Sequence, residues 1–181
     1  MTKPKIILLT GFAAAGKSTI AKKYIANHSM AMAIEADNLV DNIGDWINHR
    51  EEIRYITFEL TKAMLRTYLP FRHDAILPYV ITDATEAEAF EEIARQCDAD
   101  YYEFALQNDH DAAVARLLER GTWGESTSPP LTNKDLPIIE DLYSKVEAAI
   151  ALRPNLVRID LHGQNPDDTY AKIIDNLKLR R

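Results

Sequence analysis

The most constraining feature of this chain is a short apolar run that breaks into a glycine-bearing loop. Lys5 to Thr10, with Ile6-Ile7-Leu8-Leu9 at its centre, reads as a buried strand and leads into Gly11-Phe12-Ala13-Ala14-Ala15-Gly16-Lys17-Ser18. That octapeptide matches G-x-x-x-x-G-K-[ST] at every fixed position, and an amphipathic segment from Lys17 to Asn27 follows it. Four apolar residues in a row suit a strand buried on both faces, and such strands belong to parallel sheets covered by helices. Strand, loop and helix are the frame the motif needs. Glycines let the backbone curl until successive N–H groups point at phosphate oxygens, and the helix behind adds its positive end. Lys17 is then a point charge for the β- and γ-phosphates, and the Ser18 hydroxyl is placed to ligand Mg²⁺. Gly11, Ala13, Ala14, Ala15, Gly16, Lys17, Ser18 and Thr19 are the expected nucleotide-binding residues, with ATP and Mg²⁺ as cofactors.

Apolar runs and helical spacings alternate along the rest of the chain. Met30 to Ile34 reads as a second strand closed by Glu35-Ala36-Asp37, and a broken helical region runs from Asn38 to Leu69. Asp74 to Thr82 reads as a third strand, in which Pro78 is awkward because proline removes a ladder donor. Thr85-Glu86-Ala87-Glu88 has the capping-box pattern and opens a helix that buries Phe90, Ile93, Ala94 and Cys97. Ala99 to Leu106 is a fourth strand, Asp109 to Arg120 a helix, and Gly121 to Pro130 a loop. A helix from about Asp135 to Leu152, a fifth strand from Leu156 to Leu161 and a last helix opened by Pro166 complete the order. The expectation is a single α/β domain over 1–181, a three-layer sandwich around a mainly parallel sheet.

Charge and composition remove other classes. Twenty-one Lys and Arg stand against 28 Asp and Glu, a net charge of −7. That argues against a surface built to grip duplex nucleic acid, where phosphate neutralisation dominates affinity. Ile6 to Leu9 is far shorter than the roughly 20 residues of a membrane span, and the first residues lack the pattern of a signal peptide. Cys97, the single cysteine, forms no internal disulfide, and the five histidines show no metal-ligand spacing. A cytoplasmic protein without a membrane partner is expected; the oligomeric state is not legible.

Three fates compete for a bound triphosphate: transfer to an acceptor, a guanine-nucleotide switch, or an ATP-driven motor. Asn133-Lys134-Asp135-Leu136 imitates a guanine-reading N-K-x-D but has leucine where the base-binding carboxylate belongs. Asp41-Asn42-Ile43-Gly44 fits D-x-x-G without a strand directly before it, and no strand ends in the Asp-Glu pair a motor uses. Asp37 follows Lys17 by 20 residues, at the C-terminal end of the second strand. Chemistry gathers at such ends, and a carboxylate there can take the proton of an acceptor hydroxyl. Glu35, two residues earlier, can orient a metal-bound water. Arg116 and Arg120 share a helical face leading into the glycine-bearing loop, where they can close over the triphosphate.

These features together resemble the small P-loop kinases, a group that includes shikimate and gluconate kinases and chloramphenicol phosphotransferase. The resemblance runs from the phosphate loop through R-x-x-x-R-G at Arg116 to Gly121 and on to the last helix. It implies a five-stranded sheet in the order 2-3-1-4-5 and a lid around 116–131. It also implies that Asp37 contacts the acceptor hydroxyl, that Arg116 and Arg120 are the lid arginines, and that His162-Gly163-Gln164 touches the adenine. The chain departs from shikimate kinases, which carry three glycines where Thr82-Asp83-Ala84-Thr85 stands here, so the motifs specify the superfamily and not the acceptor.

In the region where that group places its acceptor, His49, Arg50 and Arg54 form a basic patch, with Arg50 and Arg54 on one helical face. Arg50 and Arg54 are the expected acceptor-binding residues beside Asp37, with Glu51, Glu52 and Glu59 as competing ion-pair partners. Trp46 and Trp123 are candidates to flank the pocket and the lid. The expected activity is transfer of the γ-phosphate of Mg-ATP to a small hydroxyl-bearing acceptor, with Lys17, Asp37, Arg116 and Arg120 as the catalytic set. The alternative is a nucleotide-binding regulator that hydrolyses ATP slowly and acts on a protein partner.

Overall fold

The computed structural model describes residues 3–124 and 128–179. Five strands form one parallel sheet: β1 (Lys5–Thr10), β2 (Met32–Ala33), β3 (Ala75–Pro78), β4 (Asp100–Gln107) and β5 (Val157–Asp160). Their order is β2-β3-β1-β4-β5, the order implied by the resemblance. Among the described residues seven α-helices connect and cover them: α1 (Lys17–Asn27), α2 (Ala36–Val40), α3 (Arg50–Tyr68), α4 (Ala84–Gln96), α5 (His110–Arg120), α6 (Leu136–Ala151) and α7 (Pro166–Leu179).

The apolar run of β1 lies at the centre because both of its faces are covered. Ile6 and Leu8 pack on one face with Leu65 of α3 and Phe90 and Ile93 of α4. Ile7 and Leu9 pack on the other with Ile20 and Tyr24 of α1 and Ile173 and Leu177 of α7. This alternation is the period of two that a strand imposes. Cys97 sits partly buried against the first of these clusters, as its spacing implied.

Two sequence expectations change. The third strand stops at Pro78 rather than Thr82. The N–H of Tyr79 donates to Leu9 O (2.9 Å), so the neighbouring Pro78 faces the β2 side, where the strand has ended at Ala33. On that side the last bond runs from the Ile34 N–H to Ile76 O at 3.0 Å, and the ladder ends where Pro78 has no N–H to offer. The capping box of α4 is formed by Asp83 and Glu86, not by Thr85 and Glu88. Asp83 accepts from the Thr85 N–H at 2.9 Å, and Glu86 reaches back to the Asp83 N–H at 3.3 Å. Asp83 is thus committed to a cap, and its pKa is lowered by those bonds from Thr85. No described helix is long and apolar enough to cross a membrane.

Candidate active site

The loop after β1 is shaped by residues that tolerate left-handed backbone. Gly11 (φ 127°), Ala14 (φ 59°) and Gly16 (φ 84°) all lie there, and Gly16 hands the chain to α1. A Cβ on Gly11 would stand 2.3 Å from the Leu106 carbonyl oxygen of β4, so only glycine fits against the neighbouring strand. Mixed right- and left-handed residues turn consecutive N–H groups inward, the arrangement that cradles anions.

Lys17, in the first turn of α1, is buried and donates to the carbonyls of Gly11 (2.9 Å) and Phe12 (2.8 Å). Burial brings its pKa down to about 7; the Asp37 carboxylate opposes that shift and the Arg120 guanidinium adds to it. The three side chains named separately in the sequence therefore share one electrostatic neighbourhood. Asp37 stands in the first turn of α2, a little beyond the end of the strand where it was expected. Gly124 marks how closely it approaches Arg120: a Cβ there would lie 2.7 Å from Asp37 Oδ2 and 2.8 Å from Arg120 Nη2. Arg120 Nε also donates to Thr122 O at 2.9 Å, and its Nη2 to Trp123 O.

These groups open on a cavity of about 990 Å³, lined by the loop from Ala13 to Thr19 together with Asp37, Arg50, Arg54, Arg116 and Arg120. Gly11 is buried and is not part of that lining. Trp46 and Trp123 line the cavity as well. Trp46 packs with Val40 and Ile53, a small cluster that ties α2, and with it Asp37, to the start of α3. Ser18 and Thr19 face the cavity from the first turn of α1, and the Ser18 hydroxyl makes no hydrogen bond among the described residues. A free hydroxyl beside a phosphate cradle, with a carboxylate nearby, is the hard-oxygen donor set that suits Mg²⁺. Among the described residues no group of three His, Cys, Asp or Glu forms a metal site on its own.

Other expected residues stand apart. Glu35 occupies the N-cap position of α2 without a side-chain bond to the helix and does not line the cavity. His49 turns to Asp45 and Glu52, at 3.7 and 3.6 Å. Arg54 reaches the cavity but is held by Glu86 (2.8 Å) and Thr82 (2.5 Å), not by the acids on its own helix. Arg50 lies over the Trp46 ring, 5.6 Å from its centroid. His162, Gly163 and Gln164 are absent from the cavity lining. Of the lid at 116–131, residues 125–127 lie outside the described residues. The Asn133-Lys134-Asp135 segment is a 3₁₀ turn whose Asp135 carboxylate accepts from the Thr132 N–H at 2.7 Å.

Two parts of the site were missed in the sequence. Tyr79 lies buried just beyond β3, its phenol pushed up by burial and by Glu86, and it lines the cavity with Arg54 and Thr82, of which Arg54 is also bound to Glu86. Ile138, Asp141, Leu142 and Lys145 of α6 form a further wall. The exposed apolar Ile138 beside a buried face was the one available signal for that wall.

The comparisons with known proteins agree with this frame. A family model described as AAA domain matches residues 6–132, more than half of the chain. The APS kinase of Mycobacterium tuberculosis in complex with AMPPNP and APS superposes with a TM-score of 0.65 at 16% identity, over 98% of this chain and 99% of that one. APE1195 superposes with a TM-score of 0.64 at 14% identity, over 99% of this chain and 97% of that one. A chain of the Pnkp1/Rnl/Hen1 RNA repair complex gives 0.60 at 16% identity over 86% of this chain, which spans about half (48%) of that one. No curated protein matches the sequence.

Proposed function

Because this chain belongs to the AAA domain family and has the fold of the small P-loop kinases, we propose that it is an ATP-dependent phosphotransferase acting on a hydroxyl of a small acceptor. The observation that carries the reading is the meeting of Lys17, Asp37 and Arg120 at one cavity, with Lys17 under the influence of both partners.

Each residue then has a task. The amides of the loop from Ala13 to Thr19 hold the phosphates, and Lys17 leaves the Gly11 and Phe12 carbonyls to meet the β- and γ-phosphates. Bound at Ser18, Mg²⁺ would neutralise charge on those phosphates. Asp37 accepts the proton of the acceptor hydroxyl as its oxygen bonds to the γ-phosphorus and the bond to the β-phosphate oxygen breaks. ADP leaves. Arg116 and Arg120 stabilise the charge that gathers on the transferring group and the leaving phosphate. Arg50 and Arg54 frame the acceptor side.

The test is ADP release from Mg-ATP against a panel of sugars, sugar acids, nucleosides, hydroxylated antibiotics, nucleotide sugars and a 5′-hydroxyl oligonucleotide. Lys17→Ala serves as the blank. Acceptor-dependent release above that blank is expected. ATP binding with slow, acceptor-independent hydrolysis would instead mark a nucleotide-binding regulator with a protein partner.

A further inference from the structure

The walls of the cavity constrain what kind of acceptor fits, an inference that rests on the phosphotransferase reading. At about 990 Å³ the cavity lies at the top of the roughly 300–1,000 Å³ range of sites that enclose drug-sized ligands. None of its described lining comes from the turn after β5, so the volume lies around the phosphate loop, Asp37 and the walls beyond them. A triphosphate tail occupies only part of such a space, and the rest has room for a second molecule of substantial size.

The chemistry of those walls is mixed in a specific way. Ile138 is 60% exposed although apolar, and it lines the cavity with Leu142, one turn further along α6, and with Trp123. From the other elements come Trp46 and Arg50. The lining cations differ in how far their charge is already used. Arg54 is paired with Glu86, and Lys145 with Asp141 at 2.6 Å. Arg50 makes no ion pair among the described residues and rests over an aromatic face, a position that orients a guanidinium without neutralising it. Arg116 is also unpaired among them, but it lies on α5, the helix that carries Arg120 to the phosphates. Glu51, beside Arg50, adds an acceptor for hydroxyl donors.

We propose that the acceptor is an amphipathic alcohol larger than a simple sugar. Its apolar or aromatic body lies against Ile138, Leu142 and Trp123, its anionic group meets Arg50, and its reacting hydroxyl is at Asp37. A simple polyol leaves the α6 wall wet and Arg50 unmet.

Four ligands separate the two features: glucose, glucuronate, phenyl glucoside and phenyl glucuronide. Each is titrated calorimetrically into the full chain held with saturating AMPPNP. Phenyl glucuronide is expected to bind about tenfold more tightly than phenyl glucoside, and about tenfold more tightly than glucuronate. Ile138→Ser should cancel the gain from the phenyl group and leave the gain from the carboxylate, and Arg50→Gln should do the reverse. Equal affinities for all four, binding by none, or variants that bind like the parent would each overturn the proposal. ADP release from Mg-ATP with the same ligands tests the underlying reading separately. Tight binding of phenyl glucuronide without release contradicts transfer and leaves the amphipathic pocket standing. Release with glucose as readily as with phenyl glucuronide supports transfer and overturns the pocket assignment.

Discussion

Lys17 carries the account at the scale of single residues. Its ammonium is buried against two carbonyls of its own loop, and burial brings its pKa down to about 7. Phosphate binding requires the charged form, and a lysine loses its proton as pH rises. Nucleotide affinity is therefore expected to fall as pH increases through about 7, which calorimetric titration with ATP between pH 6 and 8.5 would read; an affinity flat over that range would contradict it. Stability moves the other way. The folded pKa lies below the unfolded value of 10.5, so between about 7 and 10.5 the unfolded chain binds more protons and the stability from this group rises with pH. Gly11 makes a second prediction at this scale. A Cβ there meets the Leu106 carbonyl at 2.3 Å, and φ is 127°. Gly11→Ala should cost about 2–3 kcal/mol in urea denaturation, the combined effect of overpacking and backbone strain. An unchanged midpoint would mean that the loop and β4 do not approach as described.

Between elements, the polar contact of α3 with α4 fixes part of the cavity lining. Arg54 of α3 is bound by Glu86 of α4, and the same Glu86 closes the capping box with Asp83. Glu86→Ala removes both at once and is expected to cost about 1–2 kcal/mol, split between a lost cap and a lost ion pair. It also frees the Arg54 charge, so the variant should bind anionic ligands more tightly by calorimetry, whereas a purely structural pair would give lost stability alone. Contacts of this range explain what the sequence made legible. β1 and α1 have the bounds read from the apolar run and the helical spacing, because both signals are local. The phosphate loop was equally legible, its glycines and lysine being fixed by backbone shape and charge within eight residues. Arg54 and Glu86 are 32 residues apart, and no spacing rule joins them. The α6 wall was hidden for a related reason: Ile138 is exposed on its helix, and only the placement of α6 beside the phosphate loop turns that exposure into a cavity wall.

Over the whole molecule, the parallel sheet brings the C-terminal ends of β1 and β3, and the turns behind β2, to one edge, where the loop, Asp37 and Tyr79 meet. The same sheet buries a charge outside the cavity lining. Glu103 of β4 is 6% exposed, is held by Arg153 at 2.9 Å beyond the end of α6, and leaves its Oε1 without a hydrogen-bond partner among the described residues. Arg153 also binds Glu91 of α4 at 2.6 Å, so three elements share one ion network. Burial raises the Glu103 pKa above the ordinary carboxylate value despite Arg153. A carboxyl with a raised folded pKa favours the fold below its unfolded pKa, and that contribution is lost as pH rises through the folded value. Glu103→Gln should therefore be less sensitive to pH than the parent in denaturation between pH 4 and 7, and Glu103→Ala should cost about 1–3 kcal/mol, because Arg153 loses one carboxylate and keeps Glu91. Equal pH slopes for parent and Glu103→Gln would remove Glu103 from the account of stability.

The central claim is that this fold delivers the γ-phosphate to a hydroxyl with Asp37 as the base. The most direct measurement follows the fate of that phosphate by ³¹P NMR, with Mg-ATP and the acceptor panel, in the parent chain and in Asp37→Asn. The account predicts a new phosphoester in the parent, and in Asp37→Asn a loss of transfer of about 10²-fold or more with ATP binding retained. Inorganic phosphate as the sole product, or a phosphoester formed by Asp37→Asn at the parental rate, would contradict it.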